Sequence, residues 1–233
     1  MIDWHNHILP GMDDGSHSLT QSISMLDFQT VQGVDTVVAT PHFYANDESV
    51  QEFLERRNES FEGLSAQMAE SLPRIVLGAE VRYYQGISRL AGLDLLRIQD
   101  SKLLLLEMPQ SVWTEYMIRE LLELSGKNSI KIVLAHVERY LTLQNQVTWK
   151  RISESGILMQ ANSDFFTSLT TKRRALSLLK EGNIHFIGSD CHNLTSRPPN
   201  ICKAFDVIRR KFGNDYVEQM NEYGDSMLAI NNN

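Results

Sequence analysis

Seven short apolar runs alternate along the chain with longer amphipathic stretches. The runs cover residues 2–7, 36–40, 74–81, 102–108, 131–137, 157–161 and 185–189. Several are β-branched and near-continuous, the pattern of strands covered on both faces. Between the first two, residues 18–32 carry Leu19, Ile23, Leu26 and Val31 at helical spacing. Ser18 is placed to cap that helix and Gly33 to stop it. Residues 48–72 form a longer, more charged segment with Phe53, Leu54, Phe61, Leu64 and Met68 as its apolar stripe. Further helices are predicted over 114–126, 147–155, 170–181 and 201–212, with a last short helix over 214–229 and a frayed end at Asn231–Asn233.

Such alternation predicts an α/β fold of parallel strands joined by right-handed crossovers. Seven units suggest a closed or nearly closed barrel, with an open doubly wound sheet as the alternative. No linker, low-complexity segment or repeat divides the chain, so a single domain over 1–233 is expected, with 214–233 a C-terminal helix and tail. In either architecture function gathers at the carboxyl ends of the strands. Residues carrying chemistry should therefore sit where the runs end.

Composition narrows the field. The 22 basic and 29 acidic residues give a formal charge of −7, which argues against broad binding to nucleic acid or an anionic membrane while permitting a local basic pocket. Cys191 and Cys202 make no disulfide framework, and a reduced cytosol is the natural inference. The start lacks a basic region followed by an apolar run, and runs such as Leu103 to Leu106 are too short to cross a bilayer. A cytoplasmic protein without membrane insertion is expected.

The run ends are loaded with imidazole and carboxylate. The chain opens Ile2-Asp3-Trp4-His5-Asn6-His7, then breaks at Pro10, Gly11 and Gly15 around Asp13-Asp14. Two histidines one residue apart share a strand face. The later runs lead to Thr40-Pro41-His42, Gly78-Ala79-Glu80, Glu107-Met108-Pro109, His136-Val137-Glu138-Arg139 and Asp190-Cys191-His192. His5, His7, Asp14, His42, Glu80, Glu107, His136, Asp190 and His192 are thus nine candidate ligands at six strand exits. Any one alone reads as an ion-pair member or a satisfied buried histidine. Gathered at one rim they point to divalent first-row metals, whose coordination offsets the cost of burying charge. His185 begins the last run, at the opposite end, and receives no role. His17, just past the acidic loop, is a weak candidate better read as a solvated loop residue.

In order and spacing this set resembles the PHP (polymerase and histidinol phosphatase) superfamily. More narrowly, His7-Ile8-Leu9-Pro10-Gly11-Met12-Asp13-Asp14-Gly15 and His136-Val137-Glu138-Arg139-Tyr140 resemble the bacterial capsule-operon protein-tyrosine phosphatases. The resemblance implies a distorted (β/α)7 barrel of PHP type holding three divalent metal ions, manganese first for activity, with iron or zinc as alternatives. It implies that His5, His7, Glu80 and Asp190 hold one ion, that Glu80 bridges to a second also bound by Glu107 and His136, and that Asp14, His42 and His192 hold the third. Arg139 and Arg197 match the family's phosphate-binding arginines. The implied substrate is a phosphotyrosine protein, the tyrosine-rich tail of a capsule or exopolysaccharide kinase.

The charges suit that chemistry. A phosphate monoester is a dianion, and metals with arginine forks bind its oxygens and offset charge in the transition state. A water bridging two metals would have its pKa lowered toward neutrality, giving hydroxide for in-line attack on phosphorus. The leaving phenolate, of pKa about 10, needs less protonation than an alkoxide, and no general acid is identified. A small-molecule phosphatase such as one acting on histidinol phosphate, or a non-catalytic metal-binding scaffold, are the alternatives. Cys191 to Arg197 also spells Cys-x5-Arg, the spacing of cysteine-dependent phosphatases. The loop between them lacks the glycine of a phosphate cradle, so Cys191 is expected to be a buried packing residue. Residues 43–58 follow His42 and are expected to border the pocket.

Overall fold

The computed structural model describes residues 1–228, so the frayed end expected at 231–233 lies outside the described residues. Among the described residues nine strands, paired throughout in parallel, run β1 (Ile2–Asn6), β2 (Thr36–Ala39), β3 (His42–Phe43), β4 (Arg74–Leu77), β5 (Glu80–Arg82), β6 (Leu103–Glu107), β7 (Lys131–Leu134), β8 (Leu158–Asn162) and β9 (Phe186–Gly188). The helices are α1 (Leu19–Val31), α2 (Val50–Ser65), α3 (Glu115–Ser125), α4 (Gln146–Glu154), α5 (Ser163–Thr167), α6 (Lys172–Lys180), α7 (Ile201–Phe212) and α8 (Asn214–Leu228).

The expected run 74–81 is two strands rather than one, and the chain after 36–40 pairs again as β3. The cause is a pair of adjacent kinks. Pro41 offers no N–H to a ladder, and beside it the chain bends at Gly78-Ala79. The kinks are tied together, Gly78 N–H donating to Ala39 O at 2.8 Å and Glu80 N–H to Pro41 O at 3.0 Å. Arg57 of α2, buried against the Phe53 ring, donates to Gly78 O at 2.9 Å and holds the bend from outside. Through these kinks the three-stranded sheet β1-β2-β4 passes into the six-stranded sheet β3-β5-β6-β7-β8-β9. The exit of β9 then returns to β1, with Asp190 N–H donating to His5 O at 2.8 Å and His7 N–H to Cys191 O at 3.1 Å. The result is one curled parallel sheet wrapped by helices.

Helix limits also moved. The stretch expected over 48–72 is helical only over α2, which opens on a capping box of Ser49 and Glu52. Past Ser65 the chain goes through turns, with Gln67 N–H donating to Leu64 O and Met68 N–H to Ser65 O. The five-residue α5, directly after β8, has no apolar period long enough to be read from the sequence.

Strand alternation sorts the core into two clusters. Val37, Ala39, Ile75, Leu104, Leu106, Ile132 and Leu134 face the helices. Ile2, Trp4, Val38, Val76, Leu103, Leu105, Val133, Leu158 and Phe186 fill the inside of the curl, which Met227 of α8 closes at one end. Trp4 stacks on Phe186 with ring centroids 4.0 Å apart, a contact worth roughly 0.5–1.5 kcal/mol beyond its buried area. Continuing the inward parity toward the carboxyl ends, Val38 leads to His42, Val76 to Glu80, Leu105 to Glu107, Leu158 to Gln160 and Phe186 to Asp190. One alternation therefore builds both the apolar floor and the polar layer above it.

Candidate metal centre

β1 would break this rule without an irregularity. Between its paired positions Asp3↔Val37 and Asn6↔Ala39 it takes three residue steps where β2 takes two. The extra residue is a β-bulge, which re-aims side chains. Trp4 stays inside, Asp3 accepts from Asn6 Nδ2 and from Gln29 Nε2 of α1 outside, and His5 and His7 turn into the cavity. Two glycines make room for them. A Cβ on Gly188 would lie 2.5 Å from His5 Cβ, and one on Gly15 would lie 2.4 Å from His7 Cβ and its carbonyl oxygen.

Buried Glu80 is the hub. Its Oε2 lies 3.0 Å from His5 Nε2, 3.1 Å from His42 Nδ1 and 3.4 Å from His7 Nε2, and its Oε1 lies 2.8 Å from His136 Nε2. Glu107 Oε1 is 3.5 Å from His136 Nε2. Asp190 Oδ1 is 3.4 Å from His7 Nε2 and 3.6 Å from His5 Nε2. Asp14 Oδ1 is 3.3 Å from His192 Nε2 and 3.7 Å from His42 Nε2. All nine sequence-selected residues thus meet in one cluster. Asp14, with its side chain 68% exposed, forms the mouth. Burial works against charge on Glu80 and Asp190, yet the surrounding histidines hold both carboxyls well below the usual range.

Three groups bring donor atoms within 4.8 Å of one another: His7, Asp14, His42 and His192; His5, His7 and Asp190; and His42, Glu80 and Glu107. His7 and His42 each belong to two. The ring nitrogens facing away from the cavity are tied down. His7 Nδ1 donates to Asp13 at 2.7 Å, His5 Nδ1 lies 3.2 Å from Gln160 Oε1, His136 Nδ1 lies 3.2 Å from Tyr140 Oη, and His192 Nδ1 lies 3.0 Å from Asp190 O. This leaves four Nε2 atoms convergent, as second contacts leave imidazoles that bind metal. His5 Nε2 and His7 Nε2 stand 3.1 Å apart, and the inward nitrogens of His42 and His192, though buried, make no well-directed hydrogen bond. Convergent imidazole nitrogens among carboxylates fit divalent first-row cations.

The arginines form a belt across the mouth. Arg139 donates to Asp190 at 2.8 Å and lies 3.5 Å from Glu107, while Arg197 lies 2.9 Å from Asp190 and 3.8 Å from Asp14. Glu138, next to Arg139 in the chain, accepts from Asn162 N–H.

The sequence reading missed several supporting residues. Asp13 holds His7 and also accepts from His42 N–H at 2.8 Å; only its place beside Asp14 signalled it. Gln160 was legible as the polar residue of run 157–161, on the parity of Leu158. Arg82, 2.6 Å from Glu107 and two residues past Glu80, was legible by the same parity. His42 and Glu80 begin short strands rather than ending runs. The segment at Asp190 is not extended, since φ there is +52°. Cys191 is nonetheless buried on the far side, and burial followed by Asp3 nearby pushes its thiol well above the usual value. His17 is exposed, its N–H donating to Gln21 Oε1. His185 Nδ1 accepts from Met159 N–H, away from the cluster.

Known proteins share this architecture. Residues 1–228 match the family described as capsular polysaccharide synthesis, CpsB/CapC. The chain is 33% identical to tyrosine-protein phosphatase YwqE of Bacillus subtilis (strain 168), over 98% of this chain and 91% of that one. It is 34% identical to tyrosine-protein phosphatase CpsB of Streptococcus pneumoniae, over 91% of each. A solved chain from work on YwqE and CpsB, described as unique metal-dependent tyrosine phosphatases, superposes with a TM-score of 0.82 at 26% identity, covering 98% of this chain and 94% of that one.

Proposed function

The chain belongs to the capsular polysaccharide synthesis family CpsB/CapC, and from that premise we propose that it is a metal-dependent phosphatase hydrolysing phosphotyrosine on bacterial proteins. The observation that carries the reading is the convergence of five imidazoles and four carboxylates at one end of the curled sheet, beneath a belt of arginines. We read the curl as a distorted (β/α)7 barrel of PHP type forming one domain over 1–233, a reading supported by the return of the β9 exit to β1.

His5, His7, Glu80 and Asp190 would hold one divalent ion, Glu80, Glu107 and His136 a second, and Asp14, His42 and His192 a third. When bound, such ions supply Lewis acidity that lowers the pKa of water toward neutrality and offsets phosphoryl charge, with manganese the first choice and iron or zinc the others. Arg139 and Arg197 are the phosphate-binding arginines. Each reaches the mouth on a flexible stem and presents a planar fork matched to two phosphate oxygens. Asp13, Gln160 and Tyr140 keep the imidazoles oriented, so their nitrogens need not reorganise when phosphate arrives. The phenolate leaving group, of pKa about 10, departs without a strong general acid.

The substrate in this reading is the tyrosine-rich tail of a capsule or exopolysaccharide kinase. Among the described residues no helix is long and apolar enough to cross a membrane, and Cys191 and Cys202 are both free. A reduced cytoplasm fits those free thiols.

Metal analysis of the purified protein beside its activity on a phosphotyrosine peptide tests the proposal. Bound manganese, iron or zinc is expected, with activity abolished by chelation and restored by manganese. Faster turnover of histidinol phosphate would move the assignment to a small-molecule phosphatase, and no stimulation by any of the three metals would leave a scaffold. The Cys191→Ser variant is expected to keep most activity, because the thiol is buried and protonated. Its inactivation with metal content intact would assign nucleophilic catalysis to the cysteine.

A further inference from the structure

The cluster opens on one side into a cleft of about 390 Å³ whose walls include Met12, Asp14, His42, Tyr44, Glu48 and Arg56. The inward parity of the second strand, Val38, Thr40 and His42, reaches Tyr44 one step beyond the ligand layer. The Tyr44 ring lies 5.4 Å from the His42 ring, tilted by 31°. It is held by a turn in which its carbonyl accepts from Asp47 and Glu48 N–H. It remains 38% exposed, a large aromatic left open beside buried polar groups. Across the cleft Arg56 pairs with Glu48 at 2.7 Å and its Nη1 lies 3.4 Å from Met12 O, so that wall is a braced surface rather than loose side chains.

From this geometry we infer that the cleft is the leaving-group subsite and that Tyr44 is a specificity-determining residue, stacking on the aryl ring of the substrate. The inference rests on the phosphatase reading for its substrate class. A phosphate drawn into the ligand layer leaves its ester group one P–O–C linkage outward, at the level of Tyr44. An alkyl ester such as phosphoserine has no π-face to place there. Aromatic rings prefer offset or edge contacts over a perfect face-to-face sandwich, and the open Tyr44 ring accommodates these. Contact with a part of the substrate that does not react is made equally in the ground and transition states, so it acts on KM rather than kcat.

Two measurements test this, one of them independent of turnover. Phenylphosphonate and methylphosphonate differ in the ring alone, and neither is hydrolysed. The manganese-loaded protein is expected to bind the phenyl compound about five- to tenfold more tightly. Tyr44→Ala should abolish that preference and Tyr44→Phe should keep it. On peptides with identical flanks, Tyr44→Ala should raise KM for the phosphotyrosine form about five- to tenfold at near-constant kcat, and leave phosphoserine hydrolysis at its original rate. No phenyl preference in the unmodified protein, or one that survives Tyr44→Ala, overturns the inference. So does a Tyr44→Phe variant as impaired as the alanine, which would assign the effect to the hydroxyl. A ring preference governed by Tyr44 in a protein that turns over neither peptide would leave the subsite standing and remove the phosphatase reading.

Discussion

Glu80→Gln is expected to lower phosphotyrosine hydrolysis by roughly 10³-fold or more and to strip metal from the protein. The substitution preserves shape and removes charge. That charge faces His5, His7, His42 and His136, all within 3.4 Å of one carboxylate that is almost wholly buried. No other carboxylate of the cluster lies within 3.4 Å of as many of its histidines. An amide would present one N–H₂ to nitrogens that, in the proposed centre, would donate their lone pairs to cations, so both the sum of charge and the direction of the donors would be wrong. Metal content and steady-state rates on the same preparation check this, with circular dichroism to establish that the fold persists. Unchanged metal content with unchanged rate would mean that the cluster is not the reaction centre.

Gly188→Ala is the second large effect, acting through space rather than charge. The new methyl group would stand 2.5 Å from His5 Cβ and 2.8 Å from its backbone nitrogen, inside any tolerable contact and against atoms that cannot swing away. Either β9 moves off β1 or His5 leaves its position. A loss of about 2–4 kcal/mol in stability is expected, read as a lowered midpoint in urea or on heating, together with loss of activity. Gly63→Ala, on the open surface of α2 with nothing within 4 Å of the added atom, is the control. It should stabilise the protein by about 0.5–1 kcal/mol, because alanine suits a helix better than glycine. If both variants behave alike, close packing behind the histidines is not what reserves position 188 for glycine.

The candidate site was more legible than the fold that carries it. Alternation along a strand has a period of two, so residues such as Val76 and Glu80, or Leu105 and Glu107, share a face wherever no extra residue intervenes as one does in β1. Hence the candidate ligands could be assembled from run ends before the two kinks were known. The kinks themselves were hidden because Gly78-Ala79 is apolar and reads as continuous strand; what breaks it is the neighbouring Pro41 and the guanidinium of Arg57, both distant in sequence. The supporting residues were obscured for a related reason. Asp13, Tyr140 and Gln160 matter through contacts with a histidine ring; parity puts Gln160 on the inner face and Asp13 stands beside Asp14, but no local pattern marks any of the three as a histidine's partner. His136 and Asp190 adopt left-handed backbone, with φ of +33° and +52°, which sequence periodicity does not reveal in residues other than glycine.

The bulge in β1 makes residue spacing, as well as residue identity, a condition of the site. Removing one amino acid between Asp3 and His7 would restore an uninterrupted ladder with β2 and rotate the histidine pair half a turn about the strand. An improvement in sheet regularity would therefore be paid in lost candidate ligands. In this chain a one-residue deletion in the first strand would be a graver lesion than most substitutions within it, even one that leaves every side chain of the pair intact.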